Sequence, residues 1–402
     1  MRPKLRPLEV RPVTHEGRQS FLLQDPLHLT VGPLLLPAEW GPLLALCDGT
    51  RDLSGLRAAL AVRTGRLMAE EKLAALVAQL DEALLLEGSR AEAALAEALR
   101  RYRSAPYRAP ASAGGAYPAE PEALRELLEG YLAATPSPAS TEAAWRGLVS
   151  PHIDYARGGA VYAGVWGAAA QAVSQADLVI IFGTDHAGSP GRLTLTTQQY
   201  ATPWGLLPTE MGVVQAVAEA LGPEVAFAEE LHHRHEHAIE LAAVWLHYLA
   251  GKRPPGLVPV LCGSFAPFVA GERVAAQDPA LNACLAALTE ATAGRQVLVV
   301  AAADLAHVGP AFGDPTPLGW AERARLQAAD EALLAALEAG DAEAFLAAIA
   351  DEGDRRRVCG LPPIYMALRF LGQSQGVRAG YALCPADAQG GSLVSVCGAL
   401  LR

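Results

Sequence analysis

Val149-Ser-Pro-His-Ile-Asp-Tyr155 follows a short apolar lead-in that begins at Trp145, and its histidine is His152. The same order, an apolar run followed by a histidine, occurs twice more. Residues 178–183 precede His186, and residues 297–301 precede His307. Short β-branched runs of this kind predict buried parallel strands. In an open α/β sheet, ligands bind beyond the carboxyl ends of such strands. We therefore expect the three histidines to face one site.

The residue types at these strand ends favour a metal site. Neutral imidazole is the commonest protein ligand of iron, zinc and copper, and carboxylates complete many such sites. A single histidine is more often a hydrogen-bonded polar residue, so the prediction depends on several of them converging. The candidate side chains are His152, Asp154, Asp185, His186, His235, Glu236, His237, Asp304 and His307.

Strands alternate with helices from residue 113 to residue 402, which predicts a three-layer α/β domain with a mostly parallel or mixed sheet flanked by helices. Residues 1–95 are predicted to form a separate small α+β unit, with strands at 21–23 and 27–31 around a turn at Asp25-Pro26, then helices. Residues 96–112 are predicted as a linker. The basic run from Arg100 to Arg108 is expected to be solvated there rather than to bind phosphate.

The composition is that of a globular protein, with 402 residues, 51% hydrophobic and 19% charged. A formal net charge of -11 argues against a nucleic-acid partner. The first residues contain no apolar signal segment and no run is long enough to span a membrane, so we expect a cytoplasmic protein. The six cysteines lack the Cys-x-x-Cys pattern of structural zinc sites, and most are expected to be buried apolar residues.

The histidine-rich segment Leu231-His-His-Arg-His-Glu-His-Ala-Ile-Glu240 allows two interpretations, and it is predicted to open a helix that runs to Leu249. His233 and His237 with Glu236 match the His-x-x-Glu-His pattern of one metalloprotease class. The rival interpretation has only His237 and Glu236 facing the site at a helix start, with His232 and His233 exposed. No third protease ligand follows downstream, which favours the rival interpretation.

The N-terminal unit resembles the PqqD-like domains, which are small winged-helix modules. The phrases that carry the resemblance are Leu43-Leu-Ala-Leu-Cys-Asp-Gly-Thr-Arg-Asp-Leu53 and Glu82-Ala-Leu-Leu-Leu-Glu-Gly88. Some members of that family bind leader peptides of modified-peptide pathways, so the resemblance implies a peptide partner. The alternative is a winged-helix-like module used only for packing or dimerisation.

The second domain resembles the MEMO family, the B component of AmmeMemoRadiSam gene systems. The matching phrases, in the order of the family, are Ala113-Gly-Gly-Ala-Tyr-Pro118, Pro151-His-Ile-Asp-Tyr155, Phe182-Gly-Thr-Asp-His186, Thr202-Pro-Trp-Gly205, Glu236-His-Ala-Ile-Glu240, Ala303-Asp-Leu-Ala-His307 and Cys359-Gly-Leu-Pro-Pro-Ile364. The resemblance implies a fold related to the LigB-type extradiol dioxygenases, which are non-haem iron enzymes. It places His152 and His186 on the two histidine metal ligands, and His237 on the histidine that acts as acid and base.

The same resemblance implies that Ala306 occupies the position of the third ligand, which is a cysteine in the animal proteins and a carboxylate in the dioxygenases. Alanine cannot coordinate, so the centre is either a two-histidine site completed by another residue or a relic without metal. The residues considered for a third ligand or for a supporting role are Asp304, His307, His235, Asp154, Asp185 and Glu236.

The resemblance implies a MEMO-type metal-binding protein. Its divalent metal is expected to be iron, with copper and zinc as alternatives, and its reaction an oxygen-dependent oxidation of a small substrate. AMMECR-type and radical-SAM proteins of the same gene system are the expected partners. The alternative is a non-catalytic scaffold whose N-terminal module recognises a peptide or the radical-SAM partner.

Overall fold

The structure is a computed structural model that describes residues 2–30, 32–135 and 144–402. These residues separate into two compact units, Met1–Ala105 and Pro106–Arg402. The division falls inside the segment 96–112 that was predicted as a linker. Residues 96–104 belong to a helix of the first unit, and residues 106–112 belong to the second unit.

The first unit is a three-stranded antiparallel sheet followed by helices. Its elements are β1 (Glu9–His15), β2 (Arg18–Gln24), β3 (Leu34–Pro37), α1 (Gly41–Leu46), α2 (Leu53–Thr64), α3 (Glu70–Glu82) and α4 (Ser89–Ser104). The sheet order is β1-β2-β3. Buried leucines at helical spacing, such as Leu56 with Leu60 on α2, form its core.

The strand predicted at residues 27–31 is wrong for the part of it that the structure describes. The buried carboxylate of Asp25 accepts the backbone N–H groups of Leu27, Leu29 and Thr30, at 3.0, 2.8 and 3.3 Å. An aspartate that captures nearby N–H groups holds the chain in a turn and removes the donors that a sheet would use. Val31 lies outside the described residues.

The second unit alternates strands and helices. Its strands are β4 (Gly147–Ser150), β5 (Leu178–Thr184), β6 (Leu193–Leu195), β7 (Tyr200–Thr202), β8 (Gly205–Leu207), β9 (Gly256–Cys262), β10 (Val297–Ala302), β11 (His307–Val308), β12 (Gly376–Pro385) and β13 (Leu393–Leu401). Its helices are α5 (Pro121–Ala134), α6 (Tyr155–Gln175), α7 (Met211–Leu221), α8 (Pro223–Ala226), α9 (Ala238–Ala250), α10 (Ala266–Val269), α11 (Pro279–Ala291), α12 (Trp320–Glu338), α13 (Ala342–Ala350) and α14 (Leu361–Leu371). None of the helices described has the length and apolarity to cross a membrane.

The central sheet is mixed, and it confirms the predicted fold class. Its order is β11-β13-β4-β10-β5-β9-β6, with β12 paired to β13. The strands β4, β10, β5 and β9 run parallel, whereas β13 and β6 are antiparallel to their neighbours. Ile180 and Phe182 of β5 enter one apolar core, and Val179 and Ile181 enter a second. Because successive strand side chains point to opposite faces, both faces of the sheet are covered.

The register of the parallel strands sets the position of the candidate site. Ala302 of β10 lies beside Ser150 of β4 on one side and beside Gly183 of β5 on the other. The carboxyl ends of the three strands are therefore level with one another. The chemically interesting residues follow within three positions of that line, and they are His152, Asp185, His186 and Asp304.

Candidate metal centre

Three imidazoles converge beyond the carboxyl edge of the sheet. His152 follows β4, His186 follows β5, and His237 lies at the start of α9. One ring nitrogen of each lies within 4.8 Å of the other two. The side chain of His152 is buried at the base, while those of His186 and His237 are 39% and 42% exposed. The cluster is thus open to small molecules from one side.

The ring of His152 has one nitrogen committed to the fold and one that faces the cluster. Its Nδ1 lies 3.0 Å from the carbonyl oxygen of Ala302, which accepts the proton and fixes the tautomer. Asp304 holds the backbone, because its Oδ1 accepts the N–H of His152 at 2.9 Å and that of Ile153 at 3.3 Å. The other carboxylate oxygen lies 3.7 Å from Nε2 of His152. Asp304, which follows β10, therefore lies beside the cluster.

Glu236 joins the other two histidines through a single buried carboxylate. Its Oε2 accepts from Nδ1 of His186 at 2.9 Å and from the backbone N–H of the same residue at 3.0 Å. Its Oε1 lies 3.1 Å from Nδ1 of His237 and accepts the N–H of Ala238 at 3.0 Å. A carboxylate on the outer nitrogen orients a metal-binding imidazole and raises its basicity.

The sulfur of Cys359 completes the cluster, and sequence reasoning missed it. Its Sγ lies 3.3 Å from Nε2 of His152, and it also interacts with the side chain of His186. The thiol comes just before α14, where Thr184 Oγ1 donates to the Cys359 carbonyl at 2.9 Å. Cys359 is the one of the six cysteines that is not buried. Its contact with His152 joins residues that are far apart in sequence, so no local pattern predicts it. The only sequence signal was that Cys359-Gly-Leu-Pro-Pro-Ile364 is one of the phrases shared with the MEMO family.

Ala306, taken from the resemblance as the position of the third ligand, does not face the cluster. It is fully buried in a separate apolar cluster with Leu326 and Leu393. Its backbone is fixed by Ser395, whose Oγ accepts the Ala306 N–H at 2.9 Å. The structure therefore corrects that interpretation, because the side chain that reaches His152 belongs to Cys359.

The charged groups of the cluster shift one another's pKa values. Burial would lower the pKa of His152, but the carboxylate of Asp304 and the thiol of Cys359 outweigh it and raise the pKa to about 9. Burial opposes ionisation of Glu236 too, yet His186 and His237 keep its pKa well below the usual range. Burial raises the pKa of Cys359, and the adjacent His152 and His307 reverse that shift and lower it.

The remaining candidates lie around the cluster or are engaged elsewhere. Asp154 caps α6, where its carboxylate accepts the Arg157 N–H at 3.1 Å and pairs with the same guanidinium. This cap also explains why α6 begins at Tyr155. Asp185 pairs with His232 at 2.9 Å. His307 lies in β11 with its Nδ1 3.2 Å from the carbonyls of Leu305 and Arg357, and His235 is exposed.

The histidine-rich segment is not one helix, and neither His232 nor His233 is exposed as the rival interpretation expected. Residues Glu230–Arg234 form a 3-10 helix, and α9 begins only at Ala238. Both ring nitrogens of His233 are occupied, since Nδ1 lies 2.7 Å from the Tyr200 hydroxyl and Nε2 lies 3.0 Å from the Thr194 carbonyl. His233 is a hydrogen-bonded core residue, so the metalloprotease pairing of His233 with His237 is not formed.

The state of His233 gives a direct prediction. Burial lowers its pKa to about 3, so it is expected to stay neutral down to roughly pH 4. Because its folded pKa lies below the ordinary value of about 6.5, the stability that it contributes is present above pH 6.5 and is lost as pH falls toward 3. In an NMR titration its ring resonances should not shift between pH 8 and pH 5. A midpoint between pH 6 and pH 7 would contradict this burial.

Arg108 explains the break in the histidine-rich segment. It was expected to be solvated, but it is 1% exposed and pairs with buried Glu240. Its guanidinium donates Nε to the carbonyl of His233 at 2.8 Å and Nη2 to the carbonyl of Glu236 at 2.9 Å. An α-helix through this segment would need both carbonyls as acceptors for later N–H groups. Arg108 takes them, and so holds Glu236 and His237 at the start of α9.

A mixed α/β sheet with histidines, a carboxylate and a thiol converging beyond its parallel strands defines an α/β protein with a candidate metal centre. The Memo-like protein family matches residues 108–384, so this chain belongs to the MEMO family. A MEMO1 family protein of Thermus thermophilus is 30% identical over 330 residues, which cover 81% of this chain and 92% of the relative. One from Aquifex aeolicus is 27% identical over 316 residues, 78% of each chain. The resemblance of the second domain to the MEMO family is confirmed.

Proposed function

We propose that the chain binds one divalent metal ion, with iron favoured over copper and zinc, and uses it to oxidise a small substrate with oxygen. The ligands are Nε2 of His152, Nε2 of His186 and the thiolate of Cys359. The observation that carries the proposal is the 3.3 Å contact between Cys359 Sγ and His152 Nε2. Metal–ligand bonds of about 2.0–2.3 Å place two donors of one ion about 3–4 Å apart. The sulfur of Cys359 and Nε2 of His152 therefore lie at the separation of two donors on one ion, and a ring nitrogen of His186 lies within 4.8 Å of one of His152.

Iron held there would supply positions for substrate and oxygen and would stabilise developing negative charge. The protein's own contribution is orientation and proton transfer. Asp304 and the Ala302 carbonyl fix the ring of His152, and Glu236 fixes those of His186 and His237. With Nδ1 of His237 turned toward Glu236, its Nε2 is left to take a proton from a substrate and return it. This is the acid–base role that the family resemblance implies for His237.

Elemental analysis of the purified full chain tests the proposal. After anaerobic iron loading, the wild type is expected to hold one metal ion per chain, and His152→Ala and Cys359→Ala are expected to lose most of it. His15→Ala removes an exposed histidine of β1 and should keep the metal. His237→Gln should also keep it while losing oxygen uptake with substrate. A wild type that stays empty after loading would overturn the proposal.

The second candidate function is a non-catalytic scaffold whose first unit recognises a peptide. Strand β3 lies at an edge of its sheet among the described residues, with Leu34 and Leu35 38% and 41% exposed. An extended peptide can add to such an edge through backbone hydrogen bonds. A cavity of about 560 Å³ lined by Trp40, Met68 and others could take its side chains. A metal-free wild type in the loading experiment would favour this function.

The expected partners belong to the same proposal. If the chain works in an AmmeMemoRadiSam system, genes for an AMMECR-type and a radical-SAM protein should lie beside its own. A small peptide gene in that neighbourhood would favour peptide recognition by the first unit. The neighbourhood thus separates the two functions independently of the metal analysis.

A further inference from the structure

A cavity of about 200 Å³ opens directly onto the metal centre. His186 and Cys359 form one part of its wall. Each water of the liquid occupies about 30 Å³, so the cavity has room for roughly seven of them. Sites for drug-sized ligands begin at about 300 Å³. The occupant is therefore a small molecule rather than a peptide.

Much of the remaining lining of the cavity is apolar and well packed. Phe265, Val358 and Leu361 are each 2% exposed, and Ala266, Val269 and Pro362 continue the same surface. Burying an apolar group against such a wall contributes about 25 cal/mol for each Å² removed from water. An occupant with a hydrocarbon or aromatic body is favoured on this side.

One carboxylate at the cavity has no ion-pair partner among the described residues. Asp185 is paired with His232, and the guanidinium of Arg357 is paired with Asp314. Asp354 also lines the cavity, and in the described part of the chain it makes no ion pair. Its Oδ1 accepts the Val358 N–H at 2.8 Å. Burial raises the pKa of Asp354, with smaller contributions from Glu352 and Cys359, and the Val358 hydrogen bond and the charge of Arg356 offset the shift only in part.

The backbone beside this carboxylate is held in an uncommon conformation. Asp354 has φ 49° and Arg357 has φ 54°, in the left-handed region that residues other than glycine seldom occupy. The Arg357 N–H donates to the Asp354 carbonyl at 2.9 Å, which closes the turn. Strained turns of this kind cluster at ligand sites, where the surrounding contacts hold them. The turn places Asp354 and Cys359 on one cavity.

We propose that this cavity binds a small primary amine, with its ammonium group on Asp354 and its apolar body along Phe265 and Leu361. A partly buried carboxylate without an ion-pair partner favours a cationic group, since each stabilises the charge of the other. The claim that the amine is the substrate rests on the proposed function, because the metal centre would supply the reaction. The claim that the amine binds rests on the cavity alone.

Three probes of nearly equal size test the assignment on the full chain. Benzylamine is a cation, benzyl alcohol is neutral and benzoate is an anion. Calorimetric titration should give the tightest binding for benzylamine, with benzyl alcohol roughly tenfold weaker because it cannot form a charge-assisted hydrogen bond. This comparison uses only the wild type, so it does not depend on the folding of a variant. Absence of binding by benzylamine would overturn the proposal.

Asp354→Asn provides the second arm. Asparagine tolerates the left-handed backbone and keeps an oxygen for the Val358 N–H, so the turn should persist. Benzylamine should bind roughly tenfold more weakly to this variant, while benzyl alcohol should bind as it does to the wild type. If benzoate binds tightest and Arg357→Gln removes that binding, the cavity is an anion site and the proposal is wrong.

Metal analysis of the same samples separates the two proposals. Amine binding that depends on Asp354 in a protein that never takes up metal would support the cavity assignment and overturn the proposed oxidation. A stoichiometric metal centre with no preference for benzylamine would overturn the cavity assignment and leave the centre intact.

Discussion

Glu236→Gln is expected to weaken metal binding about 10- to 100-fold, the effect usual for partners that orient ligating histidines. The carboxylate now accepts from Nδ1 of His186 and faces Nδ1 of His237 with its other oxygen. A glutamine has one oxygen and one NH2 group, so it can accept from only one of the two rings. The other ring would meet a donor and turn or change tautomer. Competition with a chelator of known affinity measures the change.

Glu224→Gln is the matched control for that variant. Glu224 is exposed on α8 and belongs to neither group of described residues that could hold a metal ion. The metal affinity of this variant should stay within about twofold of the wild type, because a side chain that contacts none of the metal-binding residues leaves their orientation unchanged. Equal affinities for the wild type and Glu236→Gln would show that Glu236 does not orient the ligands.

The location of the centre followed from sequence because it depends on a local rule. Each apolar run predicts a strand, and the residues just past parallel strands share an edge. His152 and His186 could be placed together in this way, and the structure does bring them together. His307 follows the same rule in sequence, yet the chain turns after β10 so that Asp304, rather than His307, lies against His152.

The rest of the centre could not be found in that way because it depends on contacts between distant segments. Cys359 precedes a helix rather than following a strand, so no periodic pattern connects it with His152. The run of arginines that ends at Arg108 has no apolar pattern, so the sequence predicts a solvated linker there. Only the fold shows that Glu240, on the far side of the histidine-rich segment, neutralises Arg108. Buried ion pairs of this kind carry no local signature.

Glu240→Gln is expected to lower the free energy of unfolding by about 3–5 kcal/mol, because it leaves the Arg108 charge buried without a partner. Four donors converge on the two oxygens of Glu240, and they are Arg108 Nη1, the N–H groups of Ala111 and Ser112, and the Tyr117 hydroxyl. A glutamine would turn an NH2 group toward at least one of these donors. Urea unfolding at neutral pH measures the loss.

The surface pair of Arg378 with Glu338 is the control, since the Glu338 side chain is 39% exposed. Glu338→Gln should cost less than about 1 kcal/mol, because solvent already screens that pair. The Glu240 variant should also lose metal, since Arg108 holds the carbonyls of His233 and Glu236 that set the start of α9. If Glu240→Gln has the same free energy of unfolding as the wild type, the ion pair with Glu240 does not hold Arg108 in place. The position of Glu236, which orients the ligand His186, then does not depend on this ion pair, and the metal affinity of the variant should match that of the wild type.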